Sequence, residues 1–314
     1  MTTAQYVRIT DVSPRDGLQN EPGVISPRAK ADLVLALAKS GVDEVEVTSF
    51  VNPAKVPQLA DGPQVLRALA EAIASGGLIA PPVFSVLVPN ERGMHAALEL
   101  RRTFERELGP AARAAIAKVS VFTAASDAFN ERNIGATFDA SLERFRPVIA
   151  AARSENLPIR GYLSCVIACP FSGEVAPARV AACSRALLDL GVDELDLGDT
   201  IGAAEPASLE AMLRAVLRDV EASRVTLHLH DTFGRAVDCV RHALSLGIRS
   251  FDAAVAGLGG CPFASTPERR APGNVATEAV VRAVRERGLK TGVDEAVLAQ
   301  AASLGFAIKA TARK

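Results

Sequence analysis

Gly41-Val-Asp-Glu-Val-Glu-Val47 is the stretch that decides the fold, because its pattern returns later in the chain. It recurs as Gly191-Val-Asp-Glu-Leu-Asp-Leu197 and, more weakly, as Gly247-Ile-Arg-Ser-Phe-Asp-Ala253. Each copy follows a segment in which apolar residues recur at helical spacing. Before the first copy, Ser26 is a suitable helix cap and Pro27 a suitable first-turn residue. The repeating unit is therefore predicted to be a helix, a glycine and a strand.

Further strand-like runs extend this unit along the whole chain. They lie at about 6–12, 83–88, 117–123, 159–166 and 224–230, which gives eight strands at intervals of roughly 26 to 41 residues with helical patterns between them. Eight such units predict an α/β fold, a (β/α)₈ barrel of the TIM type, as one domain over residues 1–314 with an extended loop after the eighth strand. A doubly wound open sheet is the alternative, although no glycine-rich dinucleotide fingerprint follows the first strand.

Composition and charge exclude several classes of protein. The 314 residues carry a net charge of −1 and no basic stripe, which argues against nucleic-acid binding. No run of about 20 apolar residues predicts a membrane span, and residues 1–11 lack the apolar core of a signal peptide. The five cysteines are an odd number in apolar segments, which favours free thiols in a reducing compartment. We therefore expect a cytoplasmic protein.

Polar residues gather where the predicted strands end. In a barrel of this kind the active site is built at the carboxyl ends of the strands and in the loops that follow them. The residues at those ends that carry chemistry are Asp16, Ser49, Cys165, Asp199, His228, His230 and Cys261.

Two histidines in one strand give the stronger signal of a metal site. His228 and His230 are two residues apart in Val225-Thr-Leu-His-Leu-His-Asp231, so in a strand both side chains point to the same side. Two imidazoles on one face can bind one metal ion if a carboxylate from another strand completes the set. The alternative is a pair of hydrogen-bonded interior histidines.

Arg15 and Asp16 follow the first strand in Ser13-Pro-Arg-Asp-Gly17, and Asp16 can supply the missing carboxylate. Glu46 alternates with apolar residues in its strand, so it is predicted to face the barrel interior, where an unpaired carboxylate would be costly. Arg15 is its natural partner, and we interpret Glu46 as the group that orients Arg15. The alternatives are a surface ion pair for Arg15 with Asp16 and simple charge neutralisation by Glu46.

Cys261 lies in a glycine-rich segment, Ala256-Gly-Leu-Gly-Gly-Cys-Pro-Phe263. The three glycines permit positive φ and close approach to a ligand, while Pro262 stiffens the turn. This setting indicates a functional thiol, although a free cysteine is more often a small apolar filler.

Seven motifs run in order from residue 8 to about 280: SPRDGLQNE, VTSFVNP with VPQLAD, GYLSCV, LGDTIG, HLHDTFG, AGLGGCPFA and GNVATE. Together they resemble the motifs of the 3-hydroxy-3-methylglutaryl-CoA lyase family. That family is a divalent-metal-dependent (β/α)₈ barrel that cleaves 3-hydroxy-3-methylglutaryl-CoA into acetyl-CoA and acetoacetate.

The resemblance implies a divalent cation, Mg²⁺ or Mn²⁺, bound by Asp16, His228, His230 and Asn274. Oxygen ligands suit both ions, and the two imidazoles favour Mn²⁺. Coordination would lower the pKa of the substrate's tertiary hydroxyl, which is the first requirement of a retro-Claisen cleavage.

The resemblance also implies roles for the other residues. Either His228 or Asp199 would accept the hydroxyl proton, and the sequence leaves both open. Arg15, held by Glu46, would meet the negative charge that develops on the thioester oxygen. Cys261 would protonate the acetyl-CoA carbanion. Substrate contacts are implied for Arg15, Gln19 and Ser49.

Partners and rival functions follow from the same resemblance. An acyl-CoA is the implied small-molecule partner, and no nucleic acid or membrane partner is expected. A homodimer is implied because members of the family commonly form dimers. Pro22 stands where the family usually has a lysine, and Arg269 and Arg270 either replace that charge or form a solvated loop tip. The rivals are a Claisen-condensing enzyme similar to isopropylmalate synthase and a noncatalytic acyl-CoA-binding barrel.

Overall fold

The predicted closed barrel is confirmed in a computed structural model that describes residues 5–260 and 273–313. Eight parallel strands close into a ring in which the first strand pairs with both the last strand and the second, and this excludes the open-sheet alternative. Its strands are β1 (Arg8–Asp11), β2 (Glu44–Ser49), β3 (Val83–Leu87), β4 (Lys118–Ala124), β5 (Ile159–Ser164), β8 (Glu194–Asp199), β9 (Val225–Leu229) and β10 (Ser250–Ala253). Around the ring, the strands follow the order β1-β10-β9-β8-β5-β4-β3-β2.

Helices cover the outside of the ring, and a small antiparallel hairpin, β6 (Ala168–Cys169) with β7 (Gly173–Glu174), follows β5. None of the helices in the described ranges combines the length and apolar character that a membrane span requires. The helices are α1 (Pro27–Lys39), α2 (Gly62–Ala74), α3 (Glu91–Leu108), α4 (Asp127–Ile134), α5 (Phe138–Ser154), α6 (Pro177–Leu190), α7 (Pro206–Val216), α8 (Ala236–Ser245), α9 (Thr277–Glu286) and α10 (Glu295–Ala312).

The structure explains why the first and third positions of the repeated motif are glycine and aspartate in its first two copies. Gly41 and Gly191 have φ of +82° and +114°, so each occupies the left-handed region that lets the chain leave a helix and enter a strand. Two residues later, Asp43 Oδ2 accepts the backbone N–H of Ile9 at 2.8 Å. Asp193 Oδ2 accepts the backbone N–H of Ile159 at the same distance. The motif therefore ends a helix and also ties its strand to the preceding strand.

The barrel interior holds a layer of buried charge as well as aliphatic side chains. Arg160 is 1 % exposed and lies in the centre of this layer. Its guanidinium donates to Glu194 at 2.6 Å, to Asp252 at 2.9 Å and to Glu44 at 3.1 Å, and Lys118 binds both glutamates. Burying charge is costly unless each group is paired, and these groups come from five different strands. The layer forms the floor beneath the carboxyl ends of the strands.

The extended loop predicted after the eighth strand falls on residues 261–272, outside the described residues. On the near side of that gap, Gly257, Gly259 and Gly260 all have positive φ, as their sequence context predicts.

Candidate active site

The carboxyl ends of the strands surround a cavity of about 530 Å³. Arg15 and Asp16 reach it from a short helical turn after β1, and His228 and His230 reach it from β9 and its end. Gln19 also lines the cavity. The structure thus brings together five of the residues that the sequence singled out.

Arg15 is fixed by carboxylates on two sides. Its Nε donates to the Glu46 carboxylate, and its Nη1 donates to Asp16 Oδ1 at 2.7 Å. The other Glu46 oxygen accepts from Ser120 Oγ at 2.7 Å, and Glu46 is 0 % exposed. Burial alone would lower the pKa of Arg15, but the charges of Glu46 and Asp16 outweigh it and raise that pKa well above its ordinary value. The predicted contact between Arg15 and Glu46 is therefore present, and Arg15 is a permanent cation with one fixed orientation.

Asp16, His228 and His230 present three ligand atoms to one point. The Nε2 atoms of the two histidines are 3.4 Å apart, and they lie 3.9 and 4.0 Å from Asp16 Oδ2. Donors bound to one ion at about 2.1 Å can be at most about 4.2 Å apart, so all three separations suit a single divalent cation. Burial would raise the pKa of Asp16, but Arg15 and the two histidines hold it well below its ordinary value. The carboxylate is therefore ionised, as a metal ligand must be.

The far nitrogen of each histidine is occupied, which leaves Nε2 facing the cluster. His230 Nδ1 donates to the carbonyl oxygen of Thr200 at 2.7 Å, and His228 Nδ1 lies 3.3 Å from Asp252 Oδ2. Hydrogen bonds of this kind fix the tautomer of metal-binding histidines. The donor set and its supporting contacts therefore fit Mg²⁺ or Mn²⁺.

Asn274 lies beside the same cluster. Its Nδ2 donates to Asp16 Oδ2 at 2.9 Å and to the carbonyl oxygen of Leu258 at 3.2 Å. Rotation of the amide would turn Oδ1 toward the point on which the three ligand atoms converge. Gly259 makes room for this amide, because a Cβ at that position would lie 2.8 Å from Nδ2.

Two other predicted residues, Asp199 and Ser49, are not among the residues that line the cavity. Asp199 is 1 % exposed, and its two oxygens accept the backbone N–H groups of Ala203 and Ala204 at 2.9 and 2.8 Å. Burial raises the pKa of Asp199. Ser49 ends β2, and its buried Oγ has no hydrogen-bond partner in residues 5–260 and 273–313. Cys261, the predicted proton donor, lies outside the described residues.

Sequence reasoning missed two buried carboxylates beneath the histidines. Asp252 contacts His228, and Asp196 lies in the same group of potential ligands. Burial and the nearby Asp252 raise the pKa of Asp196 well above its ordinary value. A signal was available, since both residues occupy the sixth position of the repeated motif, where the first copy has Glu46. The inward direction inferred for Glu46 applies to all three copies.

Fold and site together define a (β/α)₈-barrel protein with a candidate divalent-cation site at the carboxyl ends of its strands. The family model described as HMGL-like matches residues 6–304. The chain therefore belongs to the HMGL-like family.

Named relatives agree with this assignment and show that the chain is an enzyme of the carbon–carbon lyase type. Hydroxymethylglutaryl-CoA lyase of Pseudomonas mevalonii is 42 % identical over 296 residues, which cover 94 % of this chain and 90 % of the relative. The crystal structure of HMG-CoA lyase from Brucella melitensis has a TM-score of 0.87 at 42 % identity and covers 98 % of this chain and 99 % of its own. An HMG-CoA lyase from Acinetobacter baumannii, solved in complex with coenzyme A and 3-methylmalate, has a TM-score of 0.84 at 30 % identity. The match covers 99 % of this chain and 93 % of that one.

Proposed function

We propose that this protein cleaves 3-hydroxy-3-methylglutaryl-CoA to acetyl-CoA and acetoacetate by a retro-Claisen reaction that depends on a divalent cation. One observation carries the proposal: Asp16, His228 and His230 converge beside the fixed cation of Arg15, in one cavity of a lyase-family barrel. A site that binds a hydroxy acid at a metal and neutralises an enolate next to it has both of the requirements of this cleavage.

Asp16, His228, His230 and Asn274 would hold the cation, Mg²⁺ or Mn²⁺. When bound, the ion lowers the pKa of the substrate's tertiary hydroxyl so that the hydroxyl can lose its proton at neutral pH. Arg15 occupies the next position along the cavity, where the thioester carbonyl of the substrate would lie.

His228 is the better candidate for the proton acceptor. It lines the cavity, whereas both oxygens of Asp199 already accept backbone hydrogen bonds. His228 Nε2 has one lone pair, so His228 would accept the proton only while Asp16, His230 and Asn274 hold the cation. A comparison of Asp199→Asn with His228→Ala tests this choice, because Asp199→Asn should leave the pH profile of kcat in place.

Arg15 would stabilise the charge that moves to the thioester oxygen when the bond between C2 and C3 breaks. Glu46 would act through Arg15, because it holds the guanidinium and does not line the cavity wall itself. The hydroxyl-bearing carbon becomes the ketone of acetoacetate, and the electron pair of the broken bond passes to the acetyl-CoA enolate.

Cys261 would then donate a proton to that enolate carbon, and the support for this step is its sequence context. A thiol has a pKa suited to proton donation near neutral pH. Cys261→Ala should reduce kcat by at least about 10²-fold with little change in substrate affinity, the size of effect usual for a general acid. Unchanged turnover would refute the role.

The remaining parts of the proposal concern contacts, assembly and location. Gln19 and Ser49 would contact the substrate, and we propose a homodimer in the cytoplasm. The buried thiols Cys169, Cys183 and Cys239, which form no disulfide among the described residues, support a reducing compartment. Gel filtration with light scattering tests the dimer.

The decisive experiment uses the full chain stripped of metal. With added Mg²⁺ or Mn²⁺, 3-hydroxy-3-methylglutaryl-CoA should yield equal amounts of acetyl-CoA and acetoacetate, and a chelator should stop the reaction. Faster cleavage of another 3-hydroxy-3-alkylglutaryl-CoA would revise the substrate assigned in the proposal but would leave the cleavage reaction unchanged. Condensation of acetyl-CoA with a 2-oxo acid, without cleavage, would overturn the proposal.

A further inference from the structure

The active-site cavity changes character from its floor to its mouth. Arg15, Asp16, His228 and His230 line its polar floor, and residues of the strands β3 to β5 add apolar surface, among them Leu87, Phe122 and Leu163. Lys55, in the loop after β2, and Arg132, in α4 after β4, lie at the mouth. From floor to mouth, the cavity wall is therefore polar, then apolar, then cationic.

The two cations at the mouth are not neutralised by any residue in the described ranges. Both are exposed, and neither forms an ion pair with a carboxylate in the part of the chain that the structure describes. Arg15, the cation at the floor, differs because Glu46 and Asp16 bind it. The mouth thus carries two positive charges that are available to a ligand.

Arg132 is held in place by an aromatic ring. Its guanidinium carbon lies 3.9 Å from the centre of the Phe171 ring, in the hairpin that follows β5. A stacked guanidinium keeps its N–H edge free to donate, which is a geometry that suits phosphate oxygens.

A second cavity of about 270 Å³ adjoins the first at this mouth. Lys55 and Asn133 line both cavities, and Val51 and Phe122 also belong to both walls. The loops after β2 and β4 flank β3, whereas the proposed metal ligands come from the side of β1 and β9, which is across the ring. A long ligand that starts at the histidines and crosses the cavity therefore emerges between Lys55 and Arg132.

We propose that Lys55 and Arg132 form a phosphate-binding subsite for the nucleotide end of the acyl-CoA substrate. The inference rests on the proposed function, because the order of polarity in the cavity matches the order of groups in such a thioester: hydroxy acid, pantetheine chain and phosphates. Pairing two free cations with phosphate oxygens gives charge-assisted hydrogen bonds without displacing an internal partner.

The test compares three substrates with the same acyl group. The CoA thioester carries all phosphates, the dephospho-CoA thioester lacks the 3′-phosphate, and the pantetheine thioester carries none. For the double variant Lys55→Ala with Arg132→Ala, we expect KM for the CoA thioester to rise at least about tenfold, as for lost hydrogen bonds to charged groups, with kcat within about twofold. Its kcat/KM for the pantetheine thioester should equal that of the unmodified enzyme.

The matched control is the double variant Lys39→Ala with Arg218→Ala. These residues are also exposed, but they precede β2 and β9 at the opposite end of the barrel, and their loss should leave KM unchanged for all three substrates. The dephospho-CoA thioester shows which phosphate is bound, because a reduced effect of the variant on this substrate identifies the 3′-phosphate and a full effect identifies the diphosphate.

Failure of this subsite is distinguishable from failure of the proposed function. If the unmodified enzyme cleaves the thioesters and the Lys55 and Arg132 variant shows the same KM for the CoA thioester, the subsite is refuted and the lyase activity stands. An equal loss with the CoA and pantetheine thioesters would also refute it, because the damage would then be independent of phosphate. If no thioester is cleaved, the proposed function itself fails.

Discussion

Asp252 Oδ2 lies 3.3 Å from Nδ1 of His228, on the side of the imidazole that faces away from the ligand cluster. The other Asp252 oxygen accepts from Arg160 at 2.9 Å. The Asp252 carboxylate thereby connects the buried charge layer to the proposed metal site.

Asp252→Asn should therefore lower the affinity for Mn²⁺ by about 10- to 100-fold, the usual cost of losing such a supporting contact. A titration followed by electron paramagnetic resonance or calorimetry measures this directly. Asp238→Asn, on the exposed face of α8, is the control and should bind Mn²⁺ normally. Normal affinity in Asp252→Asn would show that His228 needs no carboxylate behind it.

Glu46→Gln should lower kcat on the order of 10²-fold, because the amide cannot hold the Arg15 guanidinium with the same charge and geometry. KM should change far less, since Glu46 does not line the cavity wall. Ser120→Ala removes the second hydrogen bond of Glu46 without touching Arg15, so its loss of kcat should be much smaller. Equal losses in both variants would point to general disturbance of the barrel.

Gly259→Ala should weaken metal binding, because the added methyl group would lie 2.8 Å from the Asn274 amide. Gly288→Ala is matched to it: Gly288 also has a positive φ, +69°, but a Cβ there meets no atom within 4 Å. Both variants should lose about 1–3 kcal/mol of stability from backbone strain. A reduced affinity for Mn²⁺ in Gly288→Ala as well would contradict the explanation.

Glu194→Gln should lower the free energy of unfolding at pH 7 by roughly 3–5 kcal/mol, because Arg160 and Lys118 lose a buried partner. Burial would raise the pKa of Glu194, but the two cations hold it far below its ordinary value of 4.5. Its stabilising contribution is thus present above about pH 4.5 and is lost as the pH falls below that value.

Urea unfolding at several pH values measures this effect. The difference between Glu194→Gln and the unmodified protein should be largest at neutral pH and should shrink as the pH falls below about 4.5. Glu143→Gln breaks an exposed pair with Arg146 and should match the unmodified protein throughout. A difference that grows with acidity would have the wrong sign for a carboxylate with a lowered pKa.

The sequence predicts the barrel and its metal cluster because both depend on local spacing. The repeated glycine and aspartate define each helix-to-strand junction, and the two histidines of β9 share a face through the two-residue period of a strand. Asp16 could be added because all strand ends meet at one edge of a barrel. The family assignment from motifs is confirmed by the family model and by relatives at about 40 % identity.

Contacts between distant strands could not be predicted in the same way. Asp199 accepts hydrogen bonds from the backbone of the loop that follows it, and His228 contacts Asp252 on the neighbouring strand. Neither hydrogen-bond partner can be inferred from the spacing of residues along one strand. Lys55 and Arg132 lie in segments whose positions depend on how the loops fold over the barrel. The role of Cys261 stays a prediction, since it lies outside the described residues.

The charge layer around Arg160 has a consequence for how the chain folds. Its members are supplied by β2, β4, β5, β8 and β10, so no contiguous fragment that stops before the last strand contains a full complement of partners. A ring that lacks β10 would leave Arg160 without its Asp252 partner. Every partly folded intermediate without β10 therefore has a higher free energy, because a buried charge lacks a partner. Closing the ring supplies that partner. We therefore expect the barrel to unfold as one cooperative unit.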